Sequence, residues 1–286
     1  MRRVAKWCFS ILAASMVSAA AGFGWVYAAS QARLHSFPRP PPFEQPIPTD
    51  TMSIARGDHL VRTRGCRGCH GDELQGQAMW GYAVAPNLAQ FAREHSGAVF
   101  EAALRHGIGA DGSALYAMPS YNFLLLRDAD VIDIVAYLRS VPVVPAVLPE
   151  PSLPWSIRWD LARGTDQPIA GFIAQVPPLK HAEDADARFA RGEYLAMTTC
   201  IECHGFSLHG DAPFGEAIAP DLVVVAGYDE AAFASFLKTG IALGGRELPM
   251  MSGVARGRFA HLRDDEVRDL YAFLSERVAR AAAPSP

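Results

Sequence analysis

A mainly α-helical chain, built as two tandem small domains behind an N-terminal membrane or signal helix, is predicted by three features. These are a charge-free apolar run near the N-terminus, a set of landmarks that occurs twice about 134 residues apart, and an amphipathic helical signature closing each copy. The 286 residues are 50% hydrophobic and 20% charged, enough for one or two cores of ordinary domain size and too apolar for a disordered chain. With 26 basic against 30 acidic residues the net charge is −4, so no polycationic face exists to neutralise a phosphate backbone, which argues against nucleic acid as a partner.

Arg2, Arg3 and Lys6 precede a run from Trp7 to Ser30 that carries no charge. A helix of about 20 apolar residues crosses a bilayer, and a run this long exceeds the usual apolar region of a cleaved signal. Residues 1–30 are therefore read as an uncleaved anchor, with a signal cleaved after Val26-Tyr27-Ala28 or Ala19-Ala20-Ala21 as the alternative. The basic residues stay on the cytoplasmic side, so both versions place the remainder beyond the bacterial inner membrane, on the periplasmic side. Cys8, inside this run, reads as filler. Residues 31–51 include Ser36 to Asp50 with six prolines, a stiff extended tether.

The repeat defines the two domains, 52–145 and 183–280, with a tail at 281–286. Ala55-Arg56-Gly57-Asp58 returns as Ala190-Arg191-Gly192-Glu193, and Cys66-Arg67-Gly68-Cys69-His70-Gly71 returns as Cys200-Ile201-Glu202-Cys203-His204-Gly205. Ala85-Pro86-Asn87-Leu88 matches Ala219-Pro220-Asp221-Leu222 at the same distance from the motif histidine, and Leu104 to Ile108 matches Leu237 to Ile241. Asp130 to Leu138 and Glu266 to Leu274 share a helical period with acid at the start, where the helix dipole is positive. The first domain carries 8 basic and 9 acidic residues, the second 10 and 16, so the second is the acidic one. Between them, 146–182 is a proline-containing linker whose Trp155 and Trp159 are expected to fill core against one or both domains.

Two cysteines three positions apart put both thiols on one side of a helical turn, where they can add to the two vinyl groups of one haem, and the following histidine then faces the iron. A disulfide or half a zinc site competes with this reading but leaves the adjacent histidine in both copies unexplained. On these motifs the chain resembles the class I c-type cytochromes, specifically diheme members of two tandem cytochrome c domains, including cytochrome subunits of bacterial respiratory dehydrogenases. The resemblance covers both repeat units and stops at the linker and tether.

It implies two covalently bound haem c groups, attached through Cys66 and Cys69 and through Cys200 and Cys203, with His70 and His204 as proximal iron ligands. The carbonyls of Pro86 and Pro220 would hold the other ring nitrogen of each histidine. The family's sixth ligand is a later methionine; Met118 lies 48 residues after His70, in Ala117-Met118-Pro119. In the second domain Met250 and Met251 stand 46 and 47 residues after His204 with Pro249 before them. Met251 is the choice by spacing and because Met251 to Phe259 is similar to a loop variant of related cytochromes; Met250 is the second choice. Met52, Met79 and Met197 sit too near the motifs to span a haem. Gly57 and Gly192 are expected to let the closing helix approach, against Tyr137 and Phe273. Of the other histidines, His106 is the one placed before the Met118 loop.

His/Met ligation closes both irons to substrate and implies single-electron transfer between respiratory partners: a dehydrogenase, a quinol-oxidising complex or a terminal oxidase. The competing class is a haem enzyme, peroxidase-like or thiosulfate-oxidising, in which one sixth ligand is exchangeable. The Met250/Met251 pair is where that class would be found.

Overall fold

The computed structural model describes residues 2–183, 186–211 and 219–282. Residues 283–286 of the tail and 184–185 and 212–218 of the second domain lie outside the described residues. The chain begins with one long helix, α1 (Arg2–Leu34), which continues four residues past the end of the charge-free run at Ser30. The tether then lies against the first domain instead of standing free. Phe43 and Ile47 join the edge of its core, and the Arg105 guanidinium sits 5.3 Å from the centre of the Phe43 ring. Proline stiffness thus serves to hold two apolar side chains against a surface.

The first domain runs through α2 (Thr51–Thr63), α3 (Cys66–His70), the ribbon β1 (Gln77–Met79) and β2 (Ala83–Ala85), α4 (Leu88–Glu94), α5 (Gly97–His106), and α6 (Asp128–Ser140). A 3-10 turn, Ser120–Phe123, precedes α6. The two antiparallel strands pair Gln77 with Ala85, a short ribbon that helical periodicity did not predict. Asp50 caps α2 by accepting from the Ser53 amide at 2.9 Å, and Ser96 caps α5 through the Val99 amide. Gly107, at φ 65°, ends α5 in the left-handed conformation that glycine adopts without penalty.

The linker holds α7 (Trp155–Arg163) and α8 (Ala170–Ile173). Trp155 and Trp159 do not fill core: they are 50% and 46% exposed and lean on α1, where they meet Phe23 and Trp25 edge-on. Elsewhere in the linker, Leu161 on α7 is fully buried and Ile169 enters the core of the second domain.

The second domain repeats the first as α9 (Ala187–Thr199), α10 (Ile201–His204), a 3-10 turn at Leu222–Gly227, α11 (Glu230–Thr239), the ribbon β3 (Ile241–Ala242) and β4 (Arg246–Glu247), α12 (Met251–Gly257) and α13 (Asp264–Ala282). The segment after Met251, expected as a loop, contains α12. Its first turn is closed by the Leu248 carbonyl, which accepts from the Ser252 amide at 3.0 Å, and by the Ser252 hydroxyl, which donates to Gly240.

In each domain the first helix crosses the last at a glycine. A Cβ at Gly57 would fall on the Asp133 carbonyl and 2.7 Å from Tyr137 Cβ; one at Gly192 would fall on the Asp269 carbonyl and 2.6 Å from Phe273 Cβ. The neighbouring arginine locks each crossing, Arg56 donating to Asp133 at 2.6 and 3.1 Å and Arg191 to Asp269 at the same distances. The domains also exchange tyrosines. Tyr121 packs in the core of the second domain, edge-on to Phe206 at 5.5 Å, and Tyr194 packs in the core of the first beneath Arg127.

Candidate haem centres

The tight turn after α2 presents Cys66, and α3 turns His70 inward, where it is 6% exposed. The Nδ1–H of His70 donates to the Pro86 carbonyl at 2.8 Å, and that of His204 donates to Pro220 at 2.8 Å. This leaves each Nε2 as the nitrogen available to a metal. Burial pushes both histidines below the ordinary value of 6.5, with the carbonyl bonds opposing that shift, so the rings stay neutral and keep a lone pair.

None of the four motif cysteines is joined to another as a disulfide. Burial pushes Cys66 and Cys200 up to about 11, which is unlike the depressed thiol of a redox-active disulfide. Among the described residues no group of three or more His, Cys, Asp or Glu side chains gathers to hold a metal ion, so neither motif acquires the further ligands of a zinc site.

Met118 lies partly buried on the core of the first domain, directly before the 3-10 turn. Met251 lies partly buried on the core of the second, whereas Met250, at the cap of α12, is 58% exposed. His106 is placed elsewhere, its ring 3.0 Å from Glu101. Met197 is core and Met52 is exposed.

Two buried side chains of the first domain carry polar atoms without a hydrogen-bond partner. Both amide atoms of Asn122, a residue 0% exposed and four positions after Met118, are unbonded, and so is the Nε of Arg64, 3% exposed and two positions before Cys66. Buried polar atoms of this kind call for a partner, and the polar edge of a bound haem would offer one. The residues therefore fit a covalently held haem.

Reasoning on either motif alone missed how the two meet. Glu202, between the cysteines of the second motif, accepts from Arg258 Nη1 at 2.9 Å. Arg258 in turn lies over Gly65, where a Cβ would collide with its guanidinium, immediately before Cys66. Gly65 has φ 73°, so the glycine serves both the turn and the close approach. The only sequence signal was an acidic residue inside one motif and not the other.

Repeated helical units, each with a CxxCH turn and a carbonyl-held histidine, define a c-type cytochrome. The chain belongs to the cytochrome c family, whose profile matches residues 54–142 and 189–277, and two such domains carry two haem c groups. It is 28% identical to the cytochrome c subunit of the quinone-dependent alcohol dehydrogenase of Gluconobacter oxydans (strain 621H), over 80% of this chain and 56% of that one. Identity to the fructose dehydrogenase cytochrome subunit of Gluconobacter japonicus is 26%, over 82% of this chain and 55% of that one. Identity to the gluconate 2-dehydrogenase cytochrome c subunit of Pantoea cypripedii is 29%, over 53% and 37%. The chain spans little more than half the length of the first two of these relatives and about a third of the third.

Proposed function

We propose that the chain is the diheme cytochrome c of a respiratory dehydrogenase system, passing single electrons from a dehydrogenase toward a quinol-oxidising complex or terminal oxidase at the periplasmic face of the membrane. Bound haem c supplies an iron that takes up and releases one electron. The units at 52–145 and 183–280 each hold one group, by Cys66 and Cys69 in the first and Cys200 and Cys203 in the second. His70 with Met118, and His204 with Met251, would hold the two irons. Pro86 and Pro220 hold the rings of His70 and His204, so the orientation of these two ligands is set before loading. Helix α1, whose stretch Lys6–Leu34 contains an 18-residue window of mean hydropathy 1.6, anchors the chain.

The observation that carries this reading is the doubled CxxCH turn with its histidine held 2.8 Å from a proline carbonyl in both copies. The dehydrogenase partner is supported by the relatives, all three of which are cytochrome subunits of dehydrogenases. The Arg258 bridge supports passage between the centres, since it brings the two attachment turns to one domain interface.

The reduced, haem-loaded protein should give the same visible spectrum with and without carbon monoxide. Met251→Ala should make one of the two haems carbon monoxide-sensitive, and Met250→Ala should not. A shift in the unsubstituted protein would replace the carrier reading by the haem-enzyme one, and sensitivity caused by Met250→Ala alone would move the ligand to Met250.

A further inference from the structure

Helix α7 belongs to neither haem domain, yet it is built onto the anchor. Phe23 meets Trp155 edge-on at 5.1 Å, and Trp25 meets Trp159 at 6.4 Å. The Arg158 guanidinium lies 4.7 Å from the centre of the Tyr27 ring and donates to the Ser30 hydroxyl at 3.2 Å. Arg163 stacks on Trp159 at 5.7 Å. Val26, Ser30 and Leu34, one stripe at helical spacing, are buried, while neighbouring Phe23, Trp25 and Tyr27 stay exposed together with both tryptophans of α7.

The level of this cluster in a bilayer follows from chain length. With Lys6 at the cytoplasmic headgroups, about 20 residues at ~1.5 Å each fill the hydrocarbon core. The far boundary then falls near Val26, where α7 docks. Tryptophan and tyrosine concentrate at that depth because their rings are apolar and their N–H or O–H groups remain hydrated, and arginine stems reach from there to phosphate. Exposed aromatics with Arg158 and Arg163 beside them are what that boundary selects.

We infer that α7 is an interfacial helix, seated with Trp155 and Trp159 in the headgroup–acyl boundary of the periplasmic leaflet and with Arg158 and Arg163 at phospholipid phosphates. The inference rests on the anchor reading proposed above. Its consequence is orientation. The Ala114 amide donates to the Leu34 carbonyl at 2.7 Å, the Ile169 amide to the Leu115 carbonyl at 2.9 Å, and the Tyr116 hydroxyl to Asp166, so the segment before Met118 is tied to α1 and to the linker on both sides. A lipid-seated α7 therefore fixes the tilt of the first haem domain over the membrane, which a single spanning helix followed by a tether would leave free.

The haem-loaded full chain, placed in bilayers of phosphatidylethanolamine and phosphatidylglycerol, can be probed by photocrosslinking from Leu12→p-benzoylphenylalanine, Trp155→p-benzoylphenylalanine, Trp159→p-benzoylphenylalanine and Leu243→p-benzoylphenylalanine. All four positions are exposed, each variant is required to keep the unsubstituted haem spectrum, and adducts are read by intact mass. Phospholipid adducts at 12, 155 and 159 and none at 243 are expected. Adducts at 12 without any at 155 and 159, or crosslinks from 155 and 159 to a second copy of the chain, would leave the anchor standing and overturn the interfacial helix. Equal adducts at 243 would overturn it as well. Absence of adducts at 12 would remove the anchor itself and the inference with it.

Discussion

At the scale of single residues, the centres depend on groups that have been stripped of choice. Buried His70 and His204 are held neutral with one nitrogen spent on a carbonyl, so the other faces the iron position without a competing proton. Gly57 and Gly192 are equally constrained, by the carbonyl and Cβ of the helix that crosses them. Gly192→Ala should destabilise the second domain by about 2 kcal/mol, because backbone must yield to admit the methyl group. The measurement is thermal unfolding of the haem-loaded chain, with Gly57→Ala acting on the first domain to a similar degree; unchanged midpoints in both would remove the close-crossing argument. What was legible at this scale was local. The cysteines, His70 and His204 follow from a spacing within one turn, whereas Met250 and Met251 differ by one position in a stretch whose helical start at α12 no periodicity announced. Their different burial is a property of the fold.

At the scale of elements, the contacts that join the domains couple helices far apart in the chain. His59 on α2 lies 2.8 Å from Glu266 in the first turn of α13, where Glu266 also accepts from the Arg263 amide and so caps its own helix. Burial works against the Glu266 charge, yet the His59 ring and the Arg263 amide hold its carboxyl below the ordinary value of 4.5. A depressed carboxylate contributes stability that is complete above 4.5 and is lost as pH falls through the lower folded value. Glu266→Gln should therefore flatten the acid limb of the stability profile, read by denaturant titration from neutral pH downward. His59→Ala should cost about 1 kcal/mol near neutrality by removing the link between domains while leaving the cap. An unchanged acid limb in Glu266→Gln would contradict the assignment. The helices and their order were visible in sequence because amphipathic periods and acidic starts are written locally. The roles of the tether and α7 were not, since nothing in a proline run or a tryptophan pair states which surface will receive it: Phe43 found the first domain and Trp155 found α1.

At the scale of the whole molecule, duplication produced more than two copies of a unit. The exchange of Tyr121 and Tyr194 between cores and the bridge from Glu202 through Arg258 to Gly65 make the two attachment turns parts of one interface. An electron carrier gains from this arrangement, because both turns are held in place by the same packing and stay in place when the charge of either centre changes. The acidic second domain, with 10 basic against 16 acidic residues, presents the opposite sign to a basic partner surface. The measurement that decides the diheme assignment is a stoichiometric reductive titration of the purified chain, alongside intact mass, for the unsubstituted protein and for the double variant Cys200→Ala/Cys203→Ala. Two covalent haems and two electrons per chain are predicted, falling to one covalent haem in the double variant with the first centre's spectrum preserved. Uptake of one electron by the unsubstituted chain, or two covalent haems retained in the double variant, would contradict it.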